Sequence, residues 1–401
     1  MENNPLLTKE ILTKLHSFVI EYLHADITQL AFKKELVKGL ENRFVLEQLY
    51  GKQKAKTKLP FLFKQSTILY PAKVSVEQST SETVATWKSN LVAGEYMLDM
   101  TGGFGIDSYH FAKKIKQLTY IEQQTPLFKI VQHNFQQLSV DNIICHNTNA
   151  VDFLSITEEK LDWIYLDPAR RDEAGNRKIG LAGYTPNMME IKDLLLEKSE
   201  NVLLKTSPML DIQQAIQQLE SVESIYVVGL QNEVKELLFI LSNKTASDIK
   251  FHCVNLNNDG TSHTYIPTDS LDKEVSYELP KKYLYEPNAT ILKAGLFQEI
   301  AIDFGLHKLH PNTHLYTSDS IHPNFPGRVF RCEAIVPYQS KQMRKHLSNH
   351  QANITTRNFP YSVAQMRKKL KLKEGGDHYL FGTTLLDGGL KVLICRKLDE
   401  E

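Results

Sequence analysis

Apolar positions recur at two different rhythms along this chain, and the change of rhythm divides it. In the first 75 residues Leu12, Leu15, Phe18, Val19 and Leu23 repeat at helical spacing, and a second amphipathic run covers Phe32 to Leu49. A basic stretch from Lys52 to Lys58 reads as a loop ending at Pro60. The pattern therefore predicts an all-helical N-terminal module. Short apolar runs then alternate with helix-like stretches: Tyr96–Met100, Gln117–Ile121, Asn142–His146, Leu161–Leu166, Val202–Lys205, Ser224–Val228 and Glu236–Leu241. Such alternation predicts an α/β domain with a mainly parallel sheet. From about residue 275 it stops. Tyr283 to Gly305 reads as helix-rich, prolines at 311, 323 and 326 punctuate the chain, and the remainder mixes strands with one basic helix, Ser362–Leu372. The strands there are Val329–Val336, Asn353–Asn358 and Leu390–Cys395, a small α+β pattern.

Composition narrows the class. At 401 residues the chain exceeds one ordinary core, so several domains are expected. Lys and Arg number 47 against 47 Asp and Glu, which gives no whole-chain argument for a polyanionic partner. The balance hides a local surplus: Arg328 to Glu401 holds 14 basic and 7 acidic residues. Four widely spaced cysteines exclude a CxxC zinc pair and suit a reducing compartment. Without a basic, then apolar, leader or a run of about 18 apolar residues, no secretion signal or membrane span is expected. The location expected is the cytoplasm.

Candidate chemistry begins where the first strand of the α/β domain ends. Asp99-x-Thr101-x-Gly103-x-Gly105 offers a tight turn whose backbone N–H groups a nucleoside cofactor can approach, opening into a helix from about Asp107. An acid beside that turn repels a diphosphate and welcomes the ammonium of an amino-acid-bearing cofactor. Glu122 ends the second strand, placed to accept the hydroxyls of a ribose. Asn149 and Ala150, with Asp152, follow the third strand, where an adenine edge would lie. The candidate cofactor contacts are thus Asp99, Thr101, Gly102, Gly103, Gly105, Asp107, Glu122, Asn149, Ala150 and Asp167.

The fourth strand, Leu161 to Leu166, delivers Asp167 to its tip, and Pro168 turns the chain immediately afterwards. A reaction at this crevice needs positioning and an acceptor for a proton or hydrogen bond, so the candidate catalytic residues are Asp167, Pro168 and Arg170. Arg170 and Arg171 suit a phosphate or an internal carboxylate such as Asp172 equally well. Lys205, at the end of the next strand, is either a cleft cation or an internal ion-pair partner. The run Arg367-Lys368-Lys369-Leu370-Lys371 places several cations on one short helix, the electrostatic footprint of a nucleic-acid binder or a solvated helix face. The candidate nucleic-acid contacts are Arg171, Lys205, Arg367, Lys368, Lys369 and Lys371.

This motif series, over about residues 75 to 245, resembles that of the class I S-adenosylmethionine-dependent methyltransferases. The resemblance implies a Rossmann-like fold, with the glycine turn on the methionine portion, Glu122 on the ribose, and Asn149 and Ala150 beside the adenine. Thr101 stands where that family usually has its first glycine. Asp167-Pro168-Ala169-Arg170 lacks the second proline and the aromatic that mark methylation of base amines. No cysteine lies near this strand or the next, which disfavours the covalent route of pyrimidine carbon-5 methylation. Asn358-Phe359-Pro360, Met366 to Leu372, Gly375-Gly376 and Phe381-Gly382 resemble the THUMP-like domain that follows some bacterial methyltransferases. Tyr70-Pro71 through Gln78, and Lys205-Thr206-Ser207-Pro208-Met209-Leu210-Asp211, suit the same family. It implies a helical module at 1–75, a methyltransferase domain at 76–278, a ferredoxin-like segment at 279–325 and a THUMP-like domain at 326–401. It also implies S-adenosylmethionine as cofactor and RNA, above all transfer RNA, as partner. The same core serves DNA, protein or small-molecule acceptors, and a non-enzymatic RNA binder with a vestigial cofactor fold is a further alternative.

Overall fold

The computed structural model describes residues 8–169, 180–243, 248–268, 274–339, 346, 347 and 349–398. Arg170 and Arg171 lie outside the described residues. The chain divides into two compact units, one of Met1–Ile225, Glu236–Ile249 and Asn258–Gly260, the other of Tyr226–Lys235, Lys250–Asn257 and Thr261–Glu401.

The first unit opens with helices Lys9–Glu21 and Asn42–Lys58, whose apolar faces share a core around Leu15, Phe18, Val45 and Leu49. The second helix starts ten residues later than the periodicity predicts, and Phe32 is 91% exposed. Asn42 explains the shift: its side chain accepts from the Leu36 N–H (3.0 Å) and donates to the Lys33 carbonyl (2.8 Å), so the preceding residues wrap as turns. The basic stretch expected as a loop stays helical to Lys58. There the Lys52 ammonium is held by the carbonyls of Phe63 and Gln65, and Pro60 begins the next short helix at its first turn.

Seven strands follow: β1 Gly94–Asp99, β2 Ile115–Ile121, β3 Ile143–His146, β4 Leu161–Leu166, β5 Ser199–Thr206, β6 Val222–Leu230 and β7 Glu233–Ser242. Their order is β3-β2-β1-β4-β5-β7-β6. The first five pair in parallel, whereas β7 runs antiparallel to β5. β4 and β5 are buried almost continuously, as strands covered on both faces must be. Strand order reverses between β1 and β4. In open α/β sheets the ligand crevice lies outside the carboxyl ends at such a point. Asp99 and Asp167 stand on either side of it.

In the second unit β8 (Lys250–Leu256) pairs with β9 (Ser262–Tyr265). A seven-stranded sheet then comprises β10 Tyr283–Pro287, β11 His307–His310, β12 Thr313–Ser318, β13 Gly327–Pro337, β14 Asn353–Arg357, β15 His378–Thr384 and β16 Leu390–Lys397. Their order is β11-β12-β10-β13-β16-β15-β14. The helix-rich reading of Tyr283 to Gly305 is corrected at its start. Tyr283–Pro287 is a central strand between β12 and β13, and only Ala289–Ala294 and Glu299–Asp303 are helical. Cross-strand partners about 30 and 45 residues downstream decide this, and local periodicity does not carry such information. The basic helix spans Val363–Leu370, started by a capping box between Ser362 and Gln365 and stopped by Lys371 in the left-handed region. Met366 and Leu370 anchor it in the core beneath.

Candidate active site

The turn after β1 is pressed onto its surroundings so closely that glycine is the residue it admits. A Cβ on Gly102 would lie 2.1 Å from a ring carbon of Tyr120. At Gly105, with φ +74°, a Cβ would lie 2.7 Å from Val131 and 2.8 Å from Phe135. The turn is further tied by the Gly102 N–H to the Ile121 carbonyl (2.9 Å) and by the Tyr120 hydroxyl to the Gly103 carbonyl (2.7 Å). Glu122, buried at the tip of β2, accepts from the N–H groups of Gly103 (3.2 Å) and Gln124 (2.7 Å). Burial nevertheless raises its carboxyl above the ordinary range, backbone donors from Gln124, Gly103 and Gln123 opposing that rise. Turn and acid thus form one rigid unit, as a ligand cradle requires.

Asp99 is 1% exposed. It accepts from the Thr101 N–H (3.0 Å) and from the Ser108 hydroxyl, yet burial pushes its carboxyl up to about 7, helped by repulsion from Asp107 and Asp167. Thr101, in place of a glycine, fastens the turn to the tip of β4, because its hydroxyl accepts from the Asp167 N–H at 2.6 Å. Asp107 points into the protein. It accepts from the hydroxyls of Tyr165 (2.7 Å) and Thr80 (2.8 Å) and pairs with Lys88 (3.0 Å), which also pairs with Glu236 (3.0 Å). Lys205 pairs with Asp167 and is 9% exposed. Burial alone would lower the Lys205 ammonium, but Asp167, Asp107 and Glu236 hold it above its usual range.

Lys88 thus serves both Asp107 and Glu236, and Lys205 serves Asp167, whereas Asp99 is held by the Thr101 N–H and the Ser108 hydroxyl without an ion pair among the described residues. Uncompensated buried charge is costly, so the crevice favours a ligand carrying positive charge. A turn that excludes side chains, an acid ready for ribose hydroxyls and this charge deficit together fit S-adenosylmethionine.

Asn149 caps the helix Ala150–Ile156, its side-chain oxygen accepting from the N–H groups of Val151 (2.8 Å) and Asp152 (3.2 Å). Its amide oxygen is committed to the cap. Pro168 is buried, and Ala169 exchanges backbone hydrogen bonds with Thr185 (3.1 and 2.9 Å), tying down the chain beyond Asp167. Lys205, with a carboxylate in front of it, takes the ion-pair alternative.

Sequence reasoning missed Lys88, Tyr165, Ser108 and Asn147, and it did not connect Glu236 to the site. Lys88 meets Asp107, Tyr165 and Glu236 across 19, 77 and 148 residues of chain, and no local pattern announces that. Ser108, three residues past Gly105, was the readable one. Asn147 joins the ends of β2 and β3 by donating to the Glu122 carbonyl at 2.7 Å.

In the second unit, Lys368 and Lys371 are exposed, while Lys369 sits 4.0 Å from the centroid of the Tyr338 ring and 5.4 Å from that of Tyr361. Tyr338, Phe359 and Tyr361 form a cluster with centroids 5.1 to 5.8 Å apart. Arg367 donates to the Ala352 carbonyl (3.4 Å) and approaches Glu374 at 3.8 Å, so it is partly engaged within the unit.

Comparison with known proteins bears on both units. Residues 283–326 match a ferredoxin-like domain family and residues 327–397 a THUMP domain-like family. A crystal structure of a protein from Porphyromonas gingivalis W83, assigned as a methyltransferase, superposes with TM-score 0.87 at 31% identity. The match covers 98% of this chain and all of that one. Two strains of Mycobacterium tuberculosis, CDC 1551 and H37Rv, each carry a relative described as an uncharacterized S-adenosylmethionine-dependent methyltransferase. Each is 22% identical over 301 residues, covering 75% of this chain and 80% of the relative.

Proposed function

The chain belongs to the class I S-adenosylmethionine-dependent methyltransferases that carry ferredoxin-like and THUMP-like domains, and from this premise we propose that its methyl acceptor is RNA, specifically a base of transfer RNA. The observation that carries the RNA reading is the second unit's basic helix. Lys368 and Lys371 offer exposed ammonium groups to phosphates, beside Tyr361, whose exposed ring, backed by Tyr338 and Phe359, can take a stacked base. Neither cations nor aromatic rings alone distinguish RNA from a solvated face, but the pairing is what single-stranded recognition uses.

Bound S-adenosylmethionine supplies an electrophilic methyl group. The chain's own residues bind, orient and accept a proton. Asp167, fixed through its N–H by Thr101 and through its carboxylate by Lys205, accepts a hydrogen bond or proton from the nucleophile. Asp99, with the Thr101–Gly105 turn, holds the cofactor's methionine portion, Glu122 its ribose, and Asn149 and Ala150 flank the adenine. Pro168 sets the path of the chain past the nucleophile's acceptor. Arg170 or Arg171, which lie outside the described residues, would meet a phosphate of the substrate. Transfer is direct: Cys145, on β3, has its thiol pushed up to about 11 by burial and makes a poor nucleophile. Among the described residues no helix is long and apolar enough to cross a membrane, and all four cysteines are free. These features support action in the cytoplasm.

The test is transfer of labelled methyl from S-adenosylmethionine to RNA, DNA and protein from cells lacking the gene. Label that enters RNA and is released by ribonuclease supports the reading. Label confined to DNA or protein overturns it.

A further inference from the structure

The N-terminal helices enclose a second cleft, of about 580 Å³ including its open mouth, that the methyl-transfer site does not use. Helix Lys9–Glu21 contributes His16, Val19 and Ile20, helix Asn42–Lys58 contributes Gln48 and Lys52, and the following segment contributes Lys64, Ser66, Ile68 and Tyr70. Its polar lining is made of donors. Gln48 is satisfied internally, its amide exchanging two 2.7 Å bonds with the backbone of Tyr70. Lys52 donates to the carbonyls of Phe63 and Gln65, leaving one of its three ammonium hydrogens unassigned. Lys64 is exposed at the mouth. Among the described residues neither lysine has a carboxylate within 4 Å, and no Asp or Glu lines the cleft.

His16 adds an independent sign. Its Nε2 is shielded from solvent and has no hydrogen-bond partner, an unusual state for a buried ring nitrogen. Burial, then repulsion from His133 and Lys52, lowers its pKa, so the ring is neutral near pH 7 and can donate without carrying charge. Val19 and Ile68, both buried, and the exposed Ile20 supply an apolar side.

We propose that this cleft binds the phosphate group of a nucleotide, with Lys52, Lys64, His16 and Ser66 as its donors and the apolar wall against the nucleoside. A tetrahedral anion has acceptors enough for several converging donors, and its charge answers two unpaired ammonium groups. The cleft is open on one side, so a phosphate held inside it leaves the attached nucleoside free to run along the apolar wall toward the mouth. The phosphate is either that of a free mononucleotide or one within a strand. The inference does not depend on which molecule receives the methyl group.

The experiment titrates the full chain with inorganic phosphate, adenosine 5′-monophosphate and a five-nucleotide RNA by calorimetry, then repeats it with Lys64→Glu, His16→Leu and Lys52→Met. S-adenosylhomocysteine binding and thermal midpoint serve as controls for folding. Lys52→Met loses two internal bonds and can fail to fold, so Lys64→Glu and His16→Leu are the decisive variants. Each is expected to weaken binding on the order of tenfold while the controls hold. Binding of the mononucleotide assigns the cleft to a free ligand, and binding of the oligonucleotide alone assigns it to a strand. Unchanged affinity in both variants, or no binding by any probe, overturns the proposal.

Discussion

Replacing Asp99 by Asn separates what the active site does for the ligand from what it costs the fold. Asp99 is 1% exposed, and its carboxyl is pushed from 3.8 to about 7 chiefly by burial. A carboxyl whose folded pKa is raised favours folding only while protonated. Its penalty begins as pH rises past the unfolded value of 3.8 and is complete above about 7. At 1.36 kcal/mol per pH unit, the full shift sets a ceiling of about 4 kcal/mol, with about 2 kcal/mol of it still to come between roughly pH 5.5 and pH 8. Asn keeps both contacts. Its Oδ1 accepts from the Thr101 N–H, and its amide donates to the Ser108 hydroxyl, which rotates to accept. Asp99→Asn is therefore expected to be more stable than the parent, by a margin that widens by about 2 kcal/mol from about pH 5.5 to about pH 8. Urea unfolding at both pH values measures this. Calorimetry with S-adenosylmethionine should show weaker binding in the variant, because the charge that welcomes the cofactor's ammonium group is gone. A margin that stays constant or narrows with rising pH would refute the reasoning, since the carboxylate would then not be a buried unpaired charge.

Asp167→Asn should nearly abolish methyl transfer while cofactor affinity changes little; unchanged turnover in a labelled-methyl assay removes Asp167 from the chemistry. Lys88→Met leaves Asp107 and Glu236 buried without their shared cation and should lower unfolding free energy by about 3–5 kcal/mol. A loss below about 1 kcal/mol in urea titration would show that water reaches the network. Gly102→Ala forces Tyr120 from its place and should eliminate S-adenosylhomocysteine binding, read by calorimetry. Reversing Lys368, Lys369 and Lys371 together to Glu should weaken RNA binding and reduce the slope of log affinity against log salt by about 2–3; an unchanged slope places the phosphate contacts elsewhere.

Local chemistry was enough to read much of the first unit. A strand that ends in an acid and runs into glycines has few alternatives, so the Asp99–Gly105 turn, Glu122 at the end of β2 and Asp167 at the end of β4 were legible as strand-tip residues. The periodicity also marked all seven strands, most plainly β4 and β5, where burial on both faces leaves a nearly continuous apolar run. Charge could not be read in the same way. Asp107, a cofactor candidate by position, turns inward because Lys88, Tyr165 and Thr80 are there to meet it. Lys205 was undecided between solvent and an internal partner until Asp167 was seen beside it. The same holds for the helix expected to begin near Phe32, which a single Asn42 side chain displaced, and for Tyr283–Pro287, whose two strand partners lie far along the chain. By itself the sequence determined which residues turn, cap and alternate, because those preferences are set by a residue and its near neighbours. Only the tertiary structure decided which charges neutralise one another, because that depends on approaches within a few ångströms between residues up to 148 positions apart.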